Sequence, residues 1–262
     1  VMARFVPERS RDFVFENNLV AGRFYGEALE GNPTSPGIDI WVKLPGKLVA
    51  DEWYKGYETQ SDEYYHHDHG GKDCYKVAVS LGGGASVPMI GGKLCFPATN
   101  FRSWDMVEET PEKVVFTLHY PQWEAAEGVK VALDKTVTVV PDTYFCDVED
   151  TYTFEGIDTL TVAAGMNTHV MLETVEDYLL EPGHIAIWEH ASDQTYEPED
   201  GMLGVAVVMP DADRSGFTMD ETHLLVFKDI VSGQPVRYSF GSCWSKGDIK
   251  TSEDWFRLVL EQ

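Results

Sequence analysis

The sequence predicts an all-β protein of large antiparallel sheets, stacked or closed into a barrel, with few short helices. Apolar residues recur with a period of two through most of the chain, and the helical period is nearly absent. Ten or more short alternating runs are separated by Pro, Gly, Asp and Asn, as expected where strands are joined by tight turns. So many strands must bury their apolar faces against one another.

Taken in order, the strand candidates begin with residues 18–24 and 37–43. Residues 114–120 alternate well. The run 129–140 continues the pattern only with a one-residue slip near Lys135, which predicts a β-bulge there. In 144–154, Tyr144, Cys146, Val148, Tyr152 and Phe154 fall on one side, and Asp147, Glu149, Thr151 and Thr153 on a wet side. Residues 160–164, 184–190, 203–209, 223–228 and 236–240 complete the set. Near the end, Thr251 with Asp254 three residues on is a helix-start signal, read as a single turn before a terminal strand at 258–260. No repeat of fixed period and no low-complexity linker divides the chain, so residues 1–262 are read as a single domain.

Composition narrows the function. Twenty Lys and Arg against forty-four Asp and Glu leave a formal charge of −24, a field that repels nucleic-acid phosphates and anionic membrane surfaces. No apolar run approaches the ~18 residues of a membrane helix, and no charged-then-apolar leader precedes Arg4. Neither nucleic acid nor membrane is an expected partner. Between Lys135 and Arg214 there is no Lys or Arg, while seventeen Asp and Glu occur. Counter-charges for an anionic ligand must therefore come from Arg9, Arg23, Lys72, Lys76 and Arg102, or from Arg237 and Lys246. Cys74, Cys95, Cys146 and Cys243 are widely spaced without a C-x-x-C pair, so they read as one or two disulfides or as four buried thiols.

The densest functional cluster is the run from Tyr64 to Tyr75, with three of the eight histidines within four residues. In an extended segment His66 and Asp68 share one face and His67 and His69 the other. Either pair could chelate a metal, or one His could be a base oriented by a carboxylate; the bland alternative is a polar loop. Gly82-Gly83-Gly84 lacks the G-K-[ST] and helix of a phosphate loop, so these glycines read as a close passage past a ligand or a neighbouring strand. Asn167 and His169 end a strand, the first a candidate hydroxyl-binding amide and the second an acid, a base or a structural histidine. Trp244 offers a flat face to a sugar and Lys246 a charge to a carboxylate, unless the Trp is simply core. Arg23 and Tyr25 share a face, as an edge strand's outer side or as a cleft wall. Trp41 adds aromatic surface.

The segments Pro7-Glu8-Arg9, Asp12-Phe13, Glu16-Asn17, Arg23-Phe24-Tyr25-Gly26, Gly37-Ile38-Asp39-Ile40-Trp41, Tyr65-His66, Asp68-His69-Gly70, Asp73-Cys74-Tyr75-Lys76-Val77 and Trp244-Ser245-Lys246-Gly247-Asp248 together resemble a bacterial family long catalogued as a domain of unknown function, encoded among polysaccharide-utilisation genes. The resemblance covers nearly the whole chain. It implies a galactose-mutarotase-like antiparallel β-supersandwich, a periplasmic or secreted location, and oligosaccharides of acidic polysaccharides as substrates. Proteins of this kind carry a leader and a further N-terminal segment, so it also implies a shorter or trimmed form. Some relatives are similar to ulvan oligosaccharide dehydratases, which remove water from a terminal 4,5-unsaturated uronyl residue.

Such an elimination needs two positioned proton carriers and no cofactor or metal. On this reading His66 and His169 are the acid and base, Tyr75 an alternative acid, and Asp68 or Asp73 an orienting carboxylate. Arg23 and Lys246 hold the substrate carboxylate, and Tyr25, Trp41, Asn167 and Trp244 complete the binding surface. The competing readings are a sugar epimerase, mutarotase or glycoside hydrolase on the same scaffold, and a non-catalytic glycan-binding module, which would present an open aromatic platform.

Overall fold

The computed structural model describes residues 1–30, 36–59, 64–169, 175–191 and 198–262. Its strands form three antiparallel sheets in two layers. One five-stranded sheet runs in order through β1 (Met2–Val6), β2 (Asp12–Glu16), β3 (Ala21–Phe24), β4 (Ile38–Lys43) and β5 (Gly71–Lys72). A second five-stranded sheet has the order β16 (Arg214–Phe217), β17 (His223–Ile230), β12 (Leu160–Asn167), β6 (Gly83–Ile90) and β7 (Lys93–Leu94). The two are linked by a parallel bridge between Ile38 and Gly82. The eight-stranded sheet packed across them has the order β13 (Val175–Glu181), β14 (His184–His190), β15 (Met202–Val208), β18 (Pro235–Trp244), β11 (Phe145–Glu155), β10 (Val129–Val139), β9 (Lys113–Ala126) and β8 (Ser103–Thr110). This is the all-β supersandwich expected. No helix among the described residues is long and apolar enough to cross a membrane.

Alternation dictates which side chains fill the space between layers. Phe13 and Phe15 of β2 point inward, where Phe13 stacks on Phe116 of β9 at 4.4 Å and Phe15 meets Phe240 of β18 edge-on at 5.6 Å. Each such ring, fully buried, contributes about 1.5–3 kcal/mol. Gly84 is required at this seam: a Cβ there would lie 2.3 Å from Cβ of Phe240, and its φ is +139°. The close-passage reading of the glycines is thus met by a neighbouring strand.

The bulge expected near Lys135 is absent. Val131, Leu133, Lys135, Val137 and Val139 all face inward without a slip. The irregularity lies earlier, where Val131 pairs with Trp123 but Leu133 with Tyr120, so β9 carries an extra residue around Pro121, which has no N–H for the ladder. Lys135 looked like a break because it is a cation at a core position. Its Nζ lies 2.7 and 2.9 Å from the two oxygens of Asp150 and 3.1 Å from the Tyr238 hydroxyl. Ser86 of the facing sheet completes the network by donating to Asp150.

Two helices differ from expectation. The unforeseen α1 (Ala50–Thr59) is capped from afar, since the Glu16 carboxylate accepts from the N–H groups of Val49 and Ala50 at 2.7 and 3.0 Å. The C-terminal segment is no strand. Thr251 caps α2 (Ser252–Glu261), which buries Trp255 and Val259 one turn apart and stacks Trp255 on Phe145 at 5.6 Å. All four cysteines are free thiols, three of them buried.

A buried charge cluster and two adjoining hollows

The first sheet is buried on both sides. Its inward residues join the main core, while the opposite side carries Val14, Ala21 and Trp41, packed with Ala50, Trp53 and Tyr54 of α1. On that same α1 side the parity of the strands places Asp12, Arg23 and Asp39, with Arg23 directly opposite Asp39 in the β3–β4 register. Arg23 is therefore interior rather than on an edge strand, and only 5% exposed. Its Nε donates to Asp39 at 2.6 Å, and its terminal nitrogens lie 3.5 Å from Asp12 and 3.4 Å from Asp73. Arg9 pairs with Asp12 at 3.0 Å and donates to the Tyr65 hydroxyl at 3.0 Å.

Three carboxyl groups thus share two guanidinium groups, and of the three Asp73 has the fewest hydrogen-bond donors. Asp12 accepts from Arg9 and the Gly26 N–H, and Asp39 from Arg23 and the Trp41 indole, whereas the Asp73 carboxyl has a single donor among the described residues, Arg23 at 3.4 Å. Burial, reinforced by the Asp39 carboxylate and opposed by Arg23 and Arg9, pushes Asp73 up to about 8. Tyr25, beside it, is held well above its ordinary range by burial and by Asp39, so its hydroxyl stays a donor.

These groups line a hollow of about 310 Å³ together with His66 and Tyr75. His66 ends a short 3-10 turn (Tyr64–His66), and its Nδ1 lies 3.2 Å from the Asp73 carbonyl. A carbonyl only accepts, so Nδ1 is the donating nitrogen and Nε2 is the one left to face other partners. Among the described residues nothing else bonds to that nitrogen. A carboxyl group that burial pushes up and an imidazole therefore border one cavity.

A second hollow of about 670 Å³ adjoins the first, the two sharing Lys76 and Ala78. His169 and Asn167 line it. His169 has φ +44°, an unusual conformation held by its N–H bond to the Asn167 side chain at 2.9 Å. Its Nδ1 lies 2.8 Å from Glu189 and its Nε2 2.7 Å from the Lys76 carbonyl. Both ring nitrogens are thus already engaged by acceptors of the fold. The Tyr75 ring lies edge-on to His169 at 4.9 Å, and its hydroxyl donates to the Gly82 carbonyl at 2.8 Å. His169 and Tyr75 both hold hydrogen-bond partners within the fold.

His223, at the base of this hollow, accepts the Leu81 N–H on Nε2 at 3.2 Å. Burial lowers it to about 4, with Asp220 opposing and His169 adding to the shift. Because the folded state favours the neutral ring, its stabilisation is complete above the ordinary value of 6.5 and lost as pH falls through about 4. The urea midpoint should fall across that window. His223→Gln, whose amide oxygen can accept the same N–H, should flatten the fall; an unchanged pH profile in the variant would remove His223 from the account.

The structure thus gathers Arg23, Tyr25, His66, Asp73 and Tyr75 at one hollow and Asn167 and His169 at the next. Four expected site residues lie elsewhere. Trp41 is 2% exposed, packed on Trp53 at 4.9 Å behind Arg23. Trp244 is equally buried, its indole donating to the Asp200 carbonyl, and Lys246 Nζ sits 4.6 Å from its ring. Lys246 and Asp68 neutralise each other at 2.8 Å and line neither hollow. Arg23 is already committed to three carboxyl groups, so it orders the hollow rather than offering an open charge. The sequence reading missed Asp12, Asp39, Tyr65, Glu189, His223 and Lys93. Asp12, Asp39 and Tyr65 were quoted only within the motifs of the family resemblance, with no site role. Among the described residues no group of three or more His, Cys, Asp or Glu is placed to hold a metal ion.

Fold and site define a β-supersandwich protein with a charge-lined double cleft of sugar size. The chain belongs to the family described as a domain of unknown function, DUF4861, which matches residues 1–262. It is 29% identical over 277 aligned residues to the uncharacterized protein P7 of Formosa agariphila, covering 99% of this chain and 66% of that protein. Among solved structures it is similar to the galactosidase domain of an alpha-galactosidase-sucrose kinase, with 11% identity, a TM-score of 0.40, and 93% of this chain and 42% of that one covered. It is also similar to the 4-alpha-glucanotransferase of Thermococcus litoralis, with 7% identity, a TM-score of 0.35, and 93% and 39% covered.

Proposed function

We propose that the chain is a carbon–oxygen lyase that removes water from a terminal 4,5-unsaturated uronyl residue of oligosaccharides from acidic polysaccharides such as ulvan. The supporting observation is the pairing, in one hollow, of a carboxyl group poised to give a proton with an imidazole nitrogen poised to take one. In the step proposed, His66 Nε2 takes a C–H proton and those electrons form a new C=C bond. The allylic C–O bond breaks, and the hydroxyl leaves as water with the proton of Asp73. Tyr25 orients the ring and Arg23 keeps Asp73 in place, and no cofactor enters the scheme. A periplasmic or secreted location goes with this reading.

The sequence had offered His66 with His169. Asp73 replaces His169 in this reading because burial pushes Asp73 up, whereas both His169 nitrogens are engaged by Glu189 and the Lys76 carbonyl. A glycan-binding module would instead need an open aromatic platform, and Trp41 and Trp244, the residues expected to form one, are buried.

The test is incubation with lyase-generated ulvan oligosaccharides. The expected result is loss of one water by mass spectrometry, with a change in the ultraviolet absorbance of the conjugated chromophore. Unchanged unsaturated oligosaccharides, with interconversion of saturated aldoses, would replace this reading with an epimerase.

A further inference from the structure

The chain carries a formal charge of −24, and most of its twenty cations are consumed by its own carboxylates. Among the described residues only Lys55, Lys76, Lys93, Arg214 and Lys250 have no Asp or Glu oxygen within 4.0 Å. Arg214 lies on the Phe227 ring and Lys250 donates to two backbone carbonyls. Of the remaining three, Lys76 and Lys93 line the same 670 Å³ hollow, and Lys76 borders the catalytic hollow as well. In so acidic a molecule, two cations left without carboxylate partners at one cavity are a signature of an anion that comes from outside.

The rest of that hollow suits a sugar. Buried Asn167 and His223 form polar walls, and Phe96, Val79 and Met219 give apolar surface for the C–H face of a ring. Two negative groups are near. Glu189 is spent on His169 at 2.8 Å. Asp220 itself lines the hollow; hydrogen bonds from Thr218 and Thr222 hold it down to about 2, and it accepts from the Thr222 N–H and hydroxyl at 3.2 and 2.8 Å, which takes up part of its charge within its own loop.

We propose that this hollow is a subsite for an anionic sugar, held by Lys76 and Lys93 through a carboxylate or a sulfate ester. That this sugar is the unit next to the one reacting at His66 and Asp73 rests on the function proposed above. The anion preference does not, since it follows from the lysines alone.

The experiment is direct binding, read by amide chemical shifts of the intact chain at low salt, with D-glucuronate, D-glucose 6-sulfate and D-glucose as probes. At least one anionic sugar should shift the amides of Lys93, Asn167 and Thr222, and bind at least about fivefold more tightly than glucose. Lys76→Gln and Lys93→Gln should each weaken the anion about fivefold, the scale of a partly exposed charge pair, with glucose unaffected and the effect fading as salt rises. Lys55→Gln, an exposed lysine of α1 far in sequence from the hollow, serves as the control. Whichever anion binds identifies the group recognised. Glucose binding as tightly as both anions, no shifts with either, or Lys76→Gln and Lys93→Gln behaving like the control would overturn the proposal. No turnover is read, so absence of water elimination would defeat the proposed reaction while leaving this subsite standing, and the reverse also holds.

Discussion

Asp73→Asn is expected to lower turnover on 4,5-unsaturated oligosaccharides by about 10²–10⁴-fold, equivalent to about 3–5 kcal/mol of transition-state stabilisation. The amide keeps the size of the side chain and a hydrogen bond to Arg23 but has no acidic proton to give. His66→Ala should lose a comparable factor by removing the base, and the double variant should lose little more than either, because acid and base act in one step. The wild-type rate should decline as pH rises through about 8, where Asp73 ionises.

Stability provides an independent readout of the same proton. A carboxyl whose folded value is raised from 3.8 to about 8 contributes stability fully present below the lower value and lost as pH rises through the upper one. The wild type should therefore weaken progressively across that range, and Asp73→Asn should lose this component of the slope. Wild-type turnover in a folded Asp73→Asn protein would remove Asp73 from the mechanism. Loss of turnover with an unchanged stability slope would mean the residue positions the substrate but carries no proton.

The largest effect on stability is expected from Lys135→Ala, about 3–5 kcal/mol by urea denaturation, because Asp150 would be left buried without its cation. Ser86 and the Tyr238 hydroxyl still reach Asp150 but cannot replace a full charge. Lys135→Met combined with Asp150→Leu removes both charges, and should be markedly more stable than Lys135→Ala. A Lys135→Ala protein within about 1 kcal/mol of wild type would show that the pair is hydrated or that Asp150 takes up a proton at little cost.

His66, Arg23, Tyr25 and Asp73 could be picked out before any fold was known because they stand in dense or alternating motifs. Their roles could not. Asp12, Arg23 and Asp39 lie on three different strands, and nothing in the local pattern says that Arg23 faces Asp39 until the β3–β4 register is fixed. Trp41 and Trp244 had the composition of a sugar platform, yet a tryptophan at a strand position is decided by what covers it: α1 packs over the first, and the second is enclosed in the core with its indole on the Asp200 carbonyl. Helix α1 was itself missed because its cap, Glu16, is more than thirty residues upstream.

Composition and alternation by themselves determined that this is an acidic β protein whose cations are scarce enough for their placement to matter, since period-two patterning follows from the pleat of each strand taken alone. The tertiary structure decided which histidine nitrogens are engaged, which aspartate burial pushes up and which lysines stay without a carboxylate partner. Those properties depend on burial and on the distance to groups far away in the chain, and no local pattern encodes either.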